Sequence, residues 1–300
     1  MHPLVEKKIA SFKNVEDMIF SLCARYSFLK LKIIGKSELN KNIYSLYLGE
    51  NDKKILYMGA FHGQEWMTSL IILKFIEGIC ECYRMGGSFC DISIDRIFDD
   101  VGLIFVPIVN PDGVDIALFG ESATGKYKNL AKEISGGDYS DWNANARGVD
   151  INHNFDAGFC KLREIEREAG INGPSKRRFG GEYPESESET RAISHLCRDV
   201  NLKHALCFHS QGEEIFYEYG ENTSPESYAM ARVLSLSSGY SLVKQGGLAS
   251  HGGCKDFIID KLKKPAFTIE IGKGKNPLPL DDFDSIYSKI AEMLILSAII

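Results

Sequence analysis

The sequence predicts an α/β fold, a buried sheet with helices on both faces in one compact domain. Three observations carry this. Short, nearly unbroken apolar runs occur at residues 54–58, 101–109, 205–208 and 266–271, as expected of strands covered on both faces. Longer stretches of helical periodicity alternate with them. A chain of 300 residues, 44% hydrophobic and 25% charged, is long enough for one large core.

Taken in order, residues 5–25 are expected to form a helix, with Ile9, Phe12, Ile19 and Leu22 recurring on one face. Residues 28–34 and 42–48 read as strands around the polar stretch 35–38. A turn at Asn51-Asp52 leads into the strand 54–58, which empties into Gly59-Ala60-Phe61-His62-Gly63 before a helical segment at 68–81. The strand 101–109 ends on Asn110-Pro111-Asp112-Gly113. Residues 113–184, rich in Gly, Asn and Asp, are expected to be loop-dominated, wrapping the surface and building a site. A helix at 186–200, a strand at 205–208 ending at His209, a helix at 226–237 and a Gly-rich stretch at 246–253 follow. The strand 266–271 ends at Gly272, and Phe283, Ile286, Ile290 and Met293 mark a terminal helix with one buried face. Residues 1–33 serve as a lead-in and residues 34–300 as the region carrying chemistry.

A formal charge of −6 excludes a globally basic, phosphate-neutralising surface, so nucleic acid is not an expected partner. The N-terminal residues hold no continuous apolar run, and the apolar end at 293–300 is too short to span a bilayer. The eight cysteines show neither a CxxC pair nor zinc-finger spacing and are expected to be mostly reduced thiols in a cytoplasmic protein.

Polar residues collect at the ends of the apolar strands: His62 and Glu65 after one, His209 after another, Glu270 inside the last. Ligands in open α/β sheets bind outside the carboxyl ends of strands. Two histidines and a glutamate suit zinc and leave a coordination position for water. Taken alone, His62-x-x-Glu65 is better read as a capping histidine and a first-turn acid, and His209 as a core histidine bonded to backbone. Glu270 is costly to bury unless paired or used, and burial would raise its pKa toward that of a general base. The segment 141–156 is dense in donors and acceptors. Arg147, Asn152 and His153 there can bind carboxylates or an oxyanion, although an Asx-rich loop bonding to itself fits equally.

Together, Gly59 to Glu65, Asn110-Pro111-Asp112-Gly113, Gly148-Val149-Asp150-Ile151-Asn152, Phe208-His209-Ser210 and Thr268-Ile269-Glu270 resemble the zinc carboxypeptidase (M14) family in composition and order. The resemblance implies a mixed, eight-stranded twisted sheet between helices and one Zn2+ per chain on His62, Glu65 and His209. It also implies a water activated against Glu270. Asp150 is a candidate partner for a ligand imidazole, with bracing of the loop as the alternative. Substrate positions depart from the family. Asn152-His153 stands where an Asn-Arg pair holds the terminal carboxylate, and Asn143 where an arginine stabilises the oxyanion, a charge that Arg147 is expected to replace. Gln211 stands for a tyrosine. The substrate-covering tyrosine falls near Leu248, which leaves Tyr219 or Tyr240 to reach in. Lys255 at the specificity position suits an anionic group. These departures, with the phrases at 209–216 and 269–278, resemble the bacterial subgroup that cuts γ-D-glutamyl-meso-diaminopimelate bonds. The implied substrate is a muropeptide or another small peptide; a carboxypeptidase removing a C-terminal residue and a silent peptide-binding module are the alternatives.

Overall fold

The computed structural model describes residues 3–244, 246 and 251–300. In chain order the elements are α1 (Phe12–Arg25), β1 (Lys30–Lys36), β2 (Asn42–Leu48), β3 (Lys53–Met58) and α2 (Met67–Arg84). A two-stranded hairpin, β4 (Ser88–Phe89) and β5 (Ile92–Ser93), precedes α3 (Ile94–Asp100) and β6 (Gly102–Val106). Then come α4 (Pro111–Phe119), α5 (Lys128–Ser135), α6 (Phe159–Glu168), α7 (Ser188–Asp199), β7 (Asn201–His209) and β8 (Glu214–Phe216). The chain closes with α8 (Glu226–Ser238), β9 (Ser241–Leu242), α9 (Cys254–Phe257), β10 (Ala266–Glu270) and α10 (Phe283–Leu296).

Eight strands form one mixed sheet in the order β1-β2-β6-β3-β7-β10-β8-β9. Its centre, β6-β3-β7-β10, is parallel, while β1, β2 and β8 pair antiparallel toward the edges. Side chains alternate along each strand, so β3 sends Ile55 and Tyr57 to one face and Leu56 and Met58 to the other. The first face packs against α1, α2, α8 and α10 through Leu22, Leu70, Leu234 and Ile290. The second packs against α7 and α9 through Ile193, Leu196 and Phe257. Both faces are therefore apolar, which is why the central strands hold the apolar stretches 55–58, 103–106 and 205–208, with most of their polar residues toward the ends. The eight cysteines are free thiols, and Cys80, Cys197, Cys207 and Cys254 are buried as small apolar side chains. No helix among the described residues is long and apolar enough to cross a membrane.

Two expectations change. The first helix begins at Phe12, not near residue 5, because Ser11 caps it, its Oγ accepting from the Asn14 N–H at 3.3 Å. The stretch 113–184 is mostly outside regular helices and strands, as expected, but three short helices, α4, α5 and α6, interrupt it. α6 is so rich in charge that only Phe159 and Leu162 mark its buried face, together with Glu166.

Candidate active site

Parallel neighbours share a carboxyl edge, and three chemically active segments leave the sheet there. His209 ends β7 and Glu270 ends β10, directly opposite one another, with Glu214 of β8 on the far side of Glu270. After β3 the chain turns through residues 59–62, stitched down by its neighbours. Asn110 donates its N–H to the Ala60 carbonyl and its side-chain amide to that of Phe61, and the Ala60 N–H donates to Thr68 Oγ1 at 2.7 Å. A Cβ at Gly63 would run into the carbonyl oxygens of Gly113 and Trp142, so only glycine fits. A single 3-10 turn, Gly63–Glu65, follows His62. Side chains three residues apart eclipse in such a turn, which brings Glu65 beneath His62.

His62 Nδ1 lies 2.9 Å from Glu65 Oε1, His209 Nδ1 lies 2.9 Å from Glu65 Oε2, and the two Nδ1 atoms are 3.3 Å apart. On its other side, His62 Nε2 donates to Asp150 Oδ1 at 3.0 Å. That bond fixes the tautomer and leaves Nδ1 of a neutral ring as a lone pair. Lone pairs facing each other and a carboxylate repel unless a cation lies between them. Donors about 2.0–2.1 Å from a tetrahedral ion stand about 3.3 Å apart, the spacing of the two imidazoles. His62, Glu65 and His209 therefore fit a zinc ion by donor type and by spacing. Burial works against ionised Glu65, but without a metal the positive charge and N–H groups of protonated His62 and His209 take the cation's place and hold its pKa at about 2. Burial, with Glu65 and Glu214 as like-charged neighbours, pushes the carboxyl of Glu270 well above the usual range. It is thus a base of raised proton affinity beside the ligand set.

The zinc carboxypeptidase family model matches residues 15–292. The chain belongs to the zinc carboxypeptidase family. It is 34% identical over 273 residues to γ-D-glutamyl-L-diamino acid endopeptidase 1 of Lysinibacillus sphaericus, covering 90% of this chain and 67% of that one. It is 25% identical to carboxypeptidase B of Bos taurus over 261 residues, 81% of this chain and 58% of the relative. In fold it is similar to thrombin activatable fibrinolysis inhibitor, with TM-score 0.77 and 19% identity over 99% of this chain and 77% of that one. The mixed eight-stranded sheet between helices is the carboxypeptidase-like fold, and the active-site arrangement is that of a zinc metallopeptidase.

The other expected residues divide. Asn143 and His153 line one cavity of about 200 Å3 with His62, Glu65 and Asp150. Asn143 is 94% buried, exposing 6%, and its Oδ1 has no partner. Arg147 is not brought there. Its guanidinium turns to Glu187, at 3.8 Å, and to the charge of Glu38, because the loop is held by Asn145, whose Oδ1 accepts the N–H groups of Arg147 and Val149. Asn152 braces the fold, its Oδ1 accepting from the Cys254 N–H. Lys255 is buried and its charge is met internally. Nζ donates to the Glu218 carbonyl at 2.8 Å and to Asp256 Oδ1 at 2.5 Å. Gln211 is exposed, in the turn after His209. Tyr240 is buried with its hydroxyl accepting from the Gly272 N–H, and the Tyr219 hydroxyl pairs with His251 Nδ1. Leu248 lies outside the described residues.

Sequence reasoning missed Arg177 and Arg178, which line the same cavity. The signal was the cationic run Lys176-Arg177-Arg178 between Pro174 and Gly180, a pattern more often found on solvated loops. A larger hollow of about 630 Å3, against β1 and β2, shares no residue with this site and holds none of the ligand set.

Proposed function

We propose that this zinc peptidase hydrolyses the amide bond between a γ-D-glutamyl residue and meso-diaminopimelate in cell-wall peptides. The observation that carries the reading is the 34% identity, across 90% of the chain, to a γ-D-glutamyl-L-diamino acid endopeptidase, against 25% to carboxypeptidase B. The site agrees with it. The position expected to hold a terminal carboxylate is His153, whose Nδ1 is already engaged by the Arg178 carbonyl at 2.9 Å.

In this reading His62, Glu65 and His209 hold the metal, and Asp150 keeps His62 in its ligating tautomer. Bound there, a zinc ion would supply Lewis acidity toward a water and the scissile carbonyl. Glu270 would accept the proton of the attacking water, which its raised proton affinity favours, and pass it to the leaving amine. Asn143 offers the cavity an unengaged amide, while Arg147, tied to Glu187, takes no part.

A second reading is removal of a C-terminal residue. It is favoured by matches to carboxypeptidases A1 and B across 80–87% of the chain and by the carboxypeptidase-like fold. Mass spectrometry of zinc-loaded protein with L-Ala-γ-D-Glu-meso-diaminopimelate, the same peptide extended by D-Ala, and an ordinary L-peptide separates the two. Cleavage after D-Glu in both wall peptides, with the L-peptide intact, is expected. Trimming of the L-peptide from its free end would replace the first reading by the second.

A further inference from the structure

Six arginine and lysine side chains near this part of the fold are neutralised by the protein or tied into ion pairs: Lys41 by Asp115, Arg147 by Glu187, Arg163 by Glu166, Lys176 by Asp141, Arg198 by Glu185 and Lys255 by Asp256. Arg177 and Arg178 are different. Neither guanidinium forms an ion pair or hydrogen bond with any described residue, and both line the cavity that holds His62 and Glu65.

Their backbone is fixed where their side chains are free. The Lys176 carbonyl accepts the N–H groups of both Asn143 and Ala144 at 2.9 Å, and the Phe179 carbonyl accepts the Asp150 N–H at 2.7 Å. The Arg178 N–H donates to Asp150 Oδ2 at 3.0 Å, and the Arg178 carbonyl meets His153 Nδ1 at 2.9 Å. Arg178 holds φ +69°, a left-handed conformation that favours glycine over arginine. The surrounding bonds over-determine that strained residue, as happens where a side chain is needed at one place. Against the same cavity lies Asn143, buried, whose side-chain NH2, the group able to donate to a carboxylate, bonds to no described residue.

We propose that Arg177 and Arg178, with Asn143, form the subsite that holds a substrate carboxylate beside the scissile bond. It replaces the charge absent at positions 143 and 153. A guanidinium presents parallel N–H groups that match a carboxylate, and the fixed loop carries little ordering cost on binding. The inference rests on the peptidase reading. In a γ-D-glutamyl-diaminopimelate peptide two carboxylates flank the bond, the free α-carboxylate of the glutamyl residue and that of the leaving residue.

The test compares wild type, R177Q, R178Q, the double variant and R178K on the wall tripeptide and on two analogues, each with one flanking carboxylate converted to an amide. Loss of a charged hydrogen-bond partner is worth on the order of 10–100-fold. R178Q is expected to lose that much in kcat/KM on the acid, mostly through KM, and nothing further on one of the amides. The amide on which the variants converge identifies the carboxylate held, and R178K recovers part of the loss. Calorimetric binding of the acid peptides to zinc-loaded E270Q protein, with and without the arginine substitutions, gives a readout independent of turnover. If wild type trims an L-peptide rather than cutting after D-Glu, the proposed bond is wrong, and the subsite is judged on that peptide and its C-terminal amide. Equal losses on acid and amide, an unaffected double variant, or acid peptides bound no more tightly than their amides would each overturn the subsite.

Discussion

Replacing Asp150 by Asn tests how the metal ligands and the arginine loop are joined. Asp150 exposes only 4% of its surface, and its two oxygens accept from His62 Nε2, the Arg178 N–H and the Asn152 N–H at 3.0–3.2 Å. Burial opposes its charge, but His62, His153 and the Arg178 N–H overcome this and hold the carboxyl far below its usual range. An asparagine keeps one acceptor oxygen and must point its NH2 at another donor. One charged hydrogen bond, each worth about 1.5–3 kcal/mol, is lost and a donor meets a donor, so the fold should lose about 2–4 kcal/mol. The sign with pH follows from a depressed acid. The stabilisation from Asp150 is fully present above its unfolded pKa of about 3.9 and fades only as pH falls through the lower folded value. Between pH 6 and 8 the Asp150 carboxylate stays ionised in both states, but the part of the deficit that runs through His62, whose pKa its charge raises, should shrink as pH rises above about 6.5. Zinc affinity should fall about 10–100-fold, the usual effect of removing the partner of a ligating imidazole. Urea unfolding in the presence of a chelator reads the first quantity, and competition with a chromogenic chelator reads the second. Zinc affinity within about threefold of wild type, with an unmoved unfolding midpoint, would refute the account.

Glu270→Gln should keep zinc, measured by metal analysis, and lose about 10²–10⁴-fold in kcat; unchanged turnover would remove Glu270 as the base. Glu189 is buried beside Asp112, and burial first, then that charge, raise its pKa to about 8. Its stabilising neutral form is fully present below the unfolded pKa and is lost as pH rises through about 8, at about 1.4 kcal/mol per unit. Glu189→Gln should thus flatten the fall in urea midpoint between pH 5 and 8. Phe105 packs at 5.1 Å on Tyr57 and 6.0 Å on Phe75 in the buried core, so Phe105→Ala should cost about 3–5 kcal/mol in urea unfolding. Arg178→Gly removes the left-handed strain and should leave stability equal or raised by about 1 kcal/mol in the same assay. Its affinity for carboxylate peptides should nonetheless fall.

The parallel centre of the sheet was legible because Ile55, Tyr57, Ile104, Phe105, Leu206 and Phe208 face two cores, and burial on both faces leaves an unbroken apolar run. The metal triad was legible only through the ordered family resemblance, since His62-x-x-Glu65 and His209 taken alone read as a cap with a first-turn acid and as a core histidine. The short strands β8 and β9 were not, because three-residue and two-residue pairings carry too little periodicity to separate them from turns. Arg147 shows a different limit. Sequence places it near Asp150 along the chain, but the bonds of Asn145 aim its side chain toward Glu187, and no local pattern reports side-chain direction.

Arg177 and Arg178 show the same limit from the other side. They lie more than twenty residues from Asp150 in sequence, and they meet the triad only because one carboxylate serves both, with Oδ1 on His62 and Oδ2 on the Arg178 N–H. This sharing links metal geometry to charge in the cavity. A displacement of Asp150 moves an imidazole and a guanidinium together, so substitutions at Asp150 and Arg178 should not be additive. A double-mutant cycle on peptide affinity, D150N against R178Q, should return a coupling of about 0.5–3 kcal/mol. Strict additivity would mean that the loop holds its arginines without Asp150, and that the hydrogen bond between them only fills space.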